Sequence, residues 1–224
     1  GKLKNLSKNI KFIKGDIRNK KLLNKSFSNF KYVIHLAAKS ALQETIDNPF
    51  DCINVNIFGT QNILDLCLKY NSKLIFASTC AVYPLNLKKK ANEKDDGDFI
   101  TPYSISKISS ERLIEFYVKK KGLNAVILRF FNVYGKNQNP NSQYSAVIAK
   151  FIKKAKENLD LELHNDGVQK RDFIHVNDIC EAINKSLKYK NFGIFNVGTG
   201  KTVRIKDLAK IIINYSKKGK IKNG

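Results

Sequence analysis

Lys73-Leu74-Ile75-Phe76-Ala77-Ser78-Thr79 is the stretch on which the fold turns. Its centre is apolar without alternation, as in a strand covered on both faces by helices. It delivers two hydroxyl side chains at its carboxyl end. Upstream, Pro49 opens a helical pattern over 49–70, with Ile53, Ile57, Ile63, Leu64, Cys67 and Leu68 at helical spacing. Before that, residues 32–38 (Tyr-Val-Ile-His-Leu-Ala-Ala) read as another near-continuous apolar strand, also expected to be covered on both faces. Downstream come a charged loop over 87–97, a helix over 102–120 and a strand over 125–130. Strands alternating with helices indicate an α/β fold with a parallel sheet and right-handed crossovers. Ligands in such sheets bind beyond the carboxyl ends of the strands, where Ala37, Ala38, Thr79 and Asn132 fall.

The helix over 102–120 carries the chemistry. Thr101 reads as its N-cap and Pro102 as its first turn. Tyr103 and Lys107, four apart, share one helical face. An ammonium beside a phenol favours the phenolate, so Lys107 is expected to lower the Tyr103 pKa from near ~10. A tyrosine so placed can transfer protons near neutral pH. Thr79 would complete a donor pair around a substrate oxygen.

The remaining elements are simpler. Residues 10–13 read as a short buried strand ending at Gly15-Asp16-Ile17, and 19–27 as a helix. After Gly135 the chain turns polar over 136–145. A helix over 146–157, a strand over 159–164, a helix from 176 or 177 to 189, a strand over 192–197 and a helix over 205–215 follow. The tail over 217–224 reads as disordered or cut off. His35 reads as a hydrogen-bonded structural residue, His175 likewise, and His164 as a surface residue. Arg129 reads as a group holding a strand end through carbonyls or a carboxylate.

A net charge of +22 would ordinarily suggest an anionic polymer or surface. Only five of the 41 basic residues are Arg, and no RNA-binding or helix-turn-helix pattern accompanies them. The charge reads as a compositional bias, and neither nucleic acid nor membrane is expected as partner. An Arg retained among so many lysines is a candidate for fork-shaped recognition of phosphate or carboxylate, and Arg171 is one. Cys52, Cys67, Cys80 and Cys180 lack metal spacing and read as free thiols of a reducing, cytoplasmic compartment.

Six segments together give a resemblance: 35–38 (His-Leu-Ala-Ala), 56–60 (Asn-Ile-Phe-Gly-Thr), 78–83 (Ser-Thr-Cys-Ala-Val-Tyr), Tyr103-x-x-x-Lys107, 129–135 (Arg-Phe-Phe-Asn-Val-Tyr-Gly) and 171–175 (Arg-Asp-Phe-Ile-His). In order and spacing the chain resembles the extended short-chain dehydrogenase/reductase family, most of all its UDP-glucose 4-epimerases. The resemblance implies a Rossmann-like doubly wound parallel sheet over 1–132, incomplete in its first strands. A smaller C-terminal substrate-binding region over 133–224 would return a strand near 192–197 to the sheet. It implies NAD as cofactor and a UDP-sugar as substrate. Tyr103 is then the catalytic base. Lys107 holds the nicotinamide ribose, and Thr79 bonds the sugar hydroxyl. Asp16 and Ile17 match adenine-binding positions, and Leu36, Ala37 and Ala38 line the cofactor. Asn56 matches the family's active-site asparagine and Phe131 a nicotinamide-side contact. Asn132 and Arg171 match diphosphate-side positions. A lysine near the ribose in some members falls on Ser40, with Lys39 adjacent. The helices at 49–70 and 102–120 match the family's homodimer interface.

The alternatives are a nucleotide-sugar dehydratase, decarboxylase or reductase of the same fold, or a catalytically inactive sugar-nucleotide-binding fragment. Dehydratases of the family resemble Thr-Asp-Glu at the strand end, whereas this chain has Thr79-Cys80-Ala81. No glycine-rich dinucleotide turn stands near residue 1, so the chain is expected to begin after the second strand. Such a fragment is expected to be inactive, to bind NAD poorly and to fold marginally.

Overall fold

The computed structural model describes residues 3–84, 89–95, 97, 99–141 and 146–223. They divide into two compact units, Gly1–Arg129 with Ile183–Asn196, and Phe130–Ala182 with Val197–Gly224.

In the first unit, helix α1 (Lys20–Ser26) starts where the Asn19 side chain accepts from the Leu22 N–H at 3.0 Å. Strand β1 (Tyr32–His35) leads to α2 (Leu42–Asp47). Helix α3 (Pro49–Ile53) has an Asn48 cap and proline in its first turn. It runs through a π-helical turn, Asn54–Phe58, into α4 (Gly59–Lys69). The pattern over 49–70 is thus one helical path with a bulge in it. The bulge was not legible, because it shifts apolar spacing by a single residue. Strand β2 (Lys73–Thr79) and a 3₁₀ turn (Cys80–Val82) precede α5 (Pro102–Lys121). Thr101 and Ser104 form a reciprocal capping box at the start of α5. Gly122 ends it at φ 73°, a left-handed conformation that glycine adopts without steric cost. Strand β3 (Ala125–Phe130) follows.

The second unit begins with β4 (Asn132–Tyr134), α6 (Val147–Lys156), β5 (Leu161–Leu163), β6 (Lys170–Arg171) and β7 (Phe173–His175). Helix α7 (Val176–Lys188) returns the chain to the first unit, where β8 (Gly193–Val197) forms. Strand β9 (Val203–Arg204), α8 (Ile205–Ser216) and β10 (Ile221–Asn223) complete the second.

The main sheet has the order β1-β2-β3-β8, with β1 and β2 parallel and Tyr32 opposite Lys73. Leu74 and Phe76 of β2, Ala125 and Ile127 of β3, Ile63, Leu64 and Cys67 of α4, and Ile114 and Tyr117 of α5 form its core. Each fully buried aliphatic or aromatic side chain there contributes about 1.5–3 kcal/mol. Small parallel ladders in the second unit join β4 to β7 and β10 to β5, and β6 pairs antiparallel with β9. A second core gathers Phe151, Ala155, Leu161, Leu163, Leu208, Ala209 and Ile212.

Three expectations fail here. Residues 10–13 form no strand, and Ile10 and Phe12 are exposed, because no ladder partner among the described residues meets them. Strand β1 is shorter than the apolar run and covered on one face only. It is the sheet's edge, and Tyr32, Ile34 and Leu36 face outward while His35 is buried. The tail is ordered as β10: Ile221 packs on the second core and the Leu161 N–H bonds the Lys220 carbonyl at 2.7 Å. One isoleucine among lysines gave no local signal of that pairing.

Candidate active site

Thr79 closes β2, and its Oγ1 accepts from the Ala81 N–H at 3.1 Å, capping the 3₁₀ turn. Tyr103 lies in the first turn of α5 and Lys107 one turn on. Lys107 is buried; its Nζ donates to the Ala77 carbonyl and sits 4.4 Å from the centre of the Phe76 ring. The end of β2 and the start of α5 are therefore joined by Lys107 itself. Burial lowers the Lys107 pKa to about 8, opposed by the Glu111 carboxylate.

The Tyr103 phenol, by contrast, is held above its ordinary value by burial, which outweighs the downward pull of the Thr79 side chain. This corrects the expected depression by Lys107. The i,i+4 spacing puts both residues on one face, but the ammonium is drawn to the Ala77 carbonyl and the Phe76 ring.

Asn56 sits at the middle of the π-helical turn and is buried. Its Oδ1 accepts from the Lys39 N–H at 2.8 Å, while Nδ2 donates to the Lys39 carbonyl and to Ser106 Oγ, both at 2.9 Å. The amide thus clamps the loop after β1 as a neighbouring strand would, and ties it to α5. The Asn56 carbonyl accepts from Thr60 Oγ1 at 2.5 Å and from Ser110 Oγ at 2.9 Å. Thr60 has one proton and spends it there, so its oxygen accepts from His35 Nε2 at 2.9 Å. His35 is therefore the Nε2–H tautomer. Burial, with Lys107 nearby, lowers its pKa to about 4.

Asp16 accepts from Arg18, with Nη2 at 2.7 Å, and Arg18 Nη1 reaches Asp51 at 2.7 Å. Lys39 pairs with Glu44 and, at 3.2 Å, with Asp51. The Arg18 guanidinium and N–H, bonded to Asp16, hold its carboxyl below the usual range. Ile17 packs on Gly59, where an added Cβ would stand 2.5 Å from Ile17 Cδ1. Leu36 and Ala37 are exposed and Ala38 half-buried at the end of β1.

Phe131, Asn132 and Arg171 belong to the second unit. There the Asn132 N–H and Nδ2 both donate to the Asp172 carbonyl, at 3.1 and 2.9 Å. Arg171 is exposed and donates to the Lys170 carbonyl. Sequence reasoning missed its neighbour Asp172, which is buried and accepts from the Thr199 N–H (3.0 Å), Thr199 Oγ1 (2.6 Å) and the Gly200 N–H (2.7 Å). A carboxylate just before an apolar pair, with Gly-Thr-Gly downstream, was the available signal. It missed Glu111 too, though i,i+4 from Lys107 puts that carboxylate on the same face.

Among the described residues no group of three or more His, Cys, Asp or Glu side chains is placed to hold a metal, and no helix is long and apolar enough to cross a membrane.

A parallel sheet, with a hydroxyl at a strand end and a Tyr-x-x-x-Lys helix behind it, defines a class of nucleotide-dependent α/β enzymes. The profile of the NAD dependent epimerase/dehydratase family matches residues 1–198, and the chain belongs to that family. A Methanocaldococcus jannaschii protein assigned as a UDP-glucose 4-epimerase is 36% identical over 95% of this chain and 70% of its own length. The dTDP-D-glucose 4,6-dehydratase of Dictyostelium discoideum is 33% identical over 93% of this chain and 50% of its own. The UDP-glucose 4-epimerase of Thermotoga maritima, solved with UDP-glucose, superposes with a TM-score of 0.93 at 29% identity, over all of this chain and 74% of that one.

NAD is the family's cofactor, and donors and acceptors in the first unit suit it. Lys107 has three ammonium protons with one on the Ala77 carbonyl, leaving donors for ribose hydroxyls. The Asp16 carboxylate suits an adenine amino group.

Proposed function

We propose that this chain is the greater part of a nucleotide-sugar 4-epimerase of the UDP-glucose/UDP-galactose type, with Thr79, Tyr103 and Lys107 at the reacting centre. The observation that carries the reading is the junction of β2 and α5. There Lys107 bonds the Ala77 carbonyl two residues from Thr79, and the Thr79 side chain acts on the Tyr103 phenol. The bound nicotinamide supplies hydride chemistry at sugar C4. Tyr103 takes the proton of the 4-hydroxyl, and Thr79 holds that oxygen. Lys107 places an ammonium on the ribose side. The proton returns from Tyr103 when the 4-keto sugar has turned over in the site.

Asp16, Ile17, Leu36, Ala37, Ala38, Asn56 and Phe131 are assigned to the cofactor, with Asn56 acting through the Lys39 loop it clamps. Asn132 and Arg171 are assigned to the diphosphate, and the exposed guanidinium of Arg171, which bonds the Lys170 carbonyl through Nη1, suits it. A cofactor domain is assigned to 1–132 and a substrate region to 133–224; the compact units differ from these bounds, with 130–132 in the second and 183–196 in the first. Phe50 and Phe58, 77% and 56% exposed on the helical path over 49–70, and the exposed Ile105 and Phe116 of α5 support a homodimer through those helices. Four cysteines outside any disulfide fit a cytoplasmic enzyme.

Dehydration is the second reading, and the Dictyostelium relative gives it weight. Cys80 and Ala81 supply neither the acid nor the base that removing water needs. The test is to incubate the complete gene product and NAD with UDP-glucose, UDP-galactose, UDP-glucuronate and dTDP-glucose. Interconversion of the first two is expected; a 4-keto-6-deoxy product from any of them would overturn the reading.

A further inference from the structure

We infer that Glu111 is a positioning residue for the reacting centre, holding the end of β2 against α5 through a buried network that reaches the loop after Thr79. The Glu111 carboxylate is wholly buried and takes three donors. Oε1 accepts from Ser78 Oγ and from Arg129 Nε at 3.1 Å, and Oε2 accepts from Arg129 Nη2 at 2.7 Å. Arg129, itself 3% exposed, spends Nη1 on the Tyr83 hydroxyl at 2.8 Å and on the Glu93 carbonyl at 3.0 Å. The Tyr83 hydroxyl donates to Asn196 Oδ1 at 2.7 Å. Asn196 in turn donates its N–H to Glu93 Oε1 at 2.8 Å and Nδ2 to the Ala91 carbonyl at 3.1 Å.

A buried ion pair is weak evidence for stability, because desolvating both charges costs as much as their attraction returns. This one is placed to do something else. Ser78 immediately precedes Thr79, and Glu111 lies one turn beyond Lys107 on α5. One carboxylate therefore fixes the separation of the strand that carries the threonine from the helix that carries the tyrosine and lysine. Through Arg129 and Tyr83 the same group suspends both described sides of the loop after Thr79. The side chain that acts on the phenol is that of Thr79, and Glu111 reaches it only through the strand and helix it joins, so the role is geometric.

The inference rests on the epimerase reading for its kinetic consequence and on the fold alone for its dynamic one. The test uses the complete protein as Ser78→Ala, which removes one bond to Glu111 and leaves the ion pair, and as Glu111→Gln. Turnover with UDP-galactose is expected to fall about 10- to 100-fold per folded molecule, the penalty for misplacement by about 1 Å. KM for the sugar nucleotide and calorimetric affinity for NAD should stay within about twofold, because a geometric fault spares binding. Hydrogen exchange should quicken in peptides covering 78–84 and 89–95, and this readout needs no activity. Unchanged turnover and unchanged exchange in Ser78→Ala overturn the inference. So does a loss of melting temperature in Glu111→Gln while turnover per folded molecule in Ser78→Ala is retained. A wild-type protein inert on every sugar tested, yet showing the faster exchange in both variants, would remove the epimerase reading and leave the positioning role standing.

Discussion

Tyr103 carries the heaviest burden of any single residue, and its phenol starts from an unfavourable place, above the ordinary value through burial. Tyr103→Phe removes the proposed general base and should lower turnover about 10²- to 10⁴-fold, measured as steady-state interconversion of UDP-glucose and UDP-galactose; retention of most activity would discard the mechanism. Arg171→Lys keeps the charge but loses the two-pronged donor. Calorimetry should show weaker UDP binding with NAD affinity intact, and equal loss of both would make Arg171 structural. His35 concerns stability. Its folded pKa near 4 lies below the ordinary 6.5, so between those values the unfolded chain binds the proton and the native one does not. The stabilisation is therefore whole above pH 6.5 and is lost as pH falls towards 4, by up to about 3 kcal/mol. Urea midpoints of His35→Gln across that window should fall less steeply with acid than those of the wild type.

Elements were legible wherever one local signal sufficed. The apolar run of β2, the Thr101 cap and the Pro49 start all lie where the sequence places them, because capping and burial act within a few residues. What escaped depends on partners far along the chain. Strands β4, β6, β7, β9 and β10 are two or three residues long and exist only through their ladders. In the site, the Tyr-Lys spacing was readable from helix geometry, whereas the fate of the Lys107 ammonium depended on a carbonyl 30 residues away. The π-helical turn belongs here as well, since its Asn56 amide serves the Lys39 backbone. Asn56→Ala leaves both Lys39 backbone groups without that partner, at about 1–3 kcal/mol each. A loss of that size in unfolding free energy from urea melts, with an unchanged m-value, and faster exchange at the Lys39 amide are expected; an unmoved midpoint would mean that solvent replaces the clamp.

At the scale of the molecule, chain order and spatial order part company. The first unit is completed only by residues 183–196, and Lys73 shows what that return does. It is 6% exposed at the start of β2, and its Nζ donates to the Ser186 carbonyl at 2.6 Å and to that of Tyr189. The ammonium thus caps the carboxyl end of α7. Lys73→Met keeps the stem and drops the charge, and should cost about 2–3 kcal/mol in denaturant melts; no change would show that the helix end needs no cap. The returning segment also sets a timetable. On the ribosome β1 and β2 emerge early, but the Ser186 acceptor for Lys73 arrives 113 residues after it, and β8 follows. At about 5–20 residues per second, the half-built sheet waits several seconds with one flank open. A chaperone that binds nascent apolar strands would meet this protein during that wait, and a premature stop between α6 and α7 would leave it waiting for good.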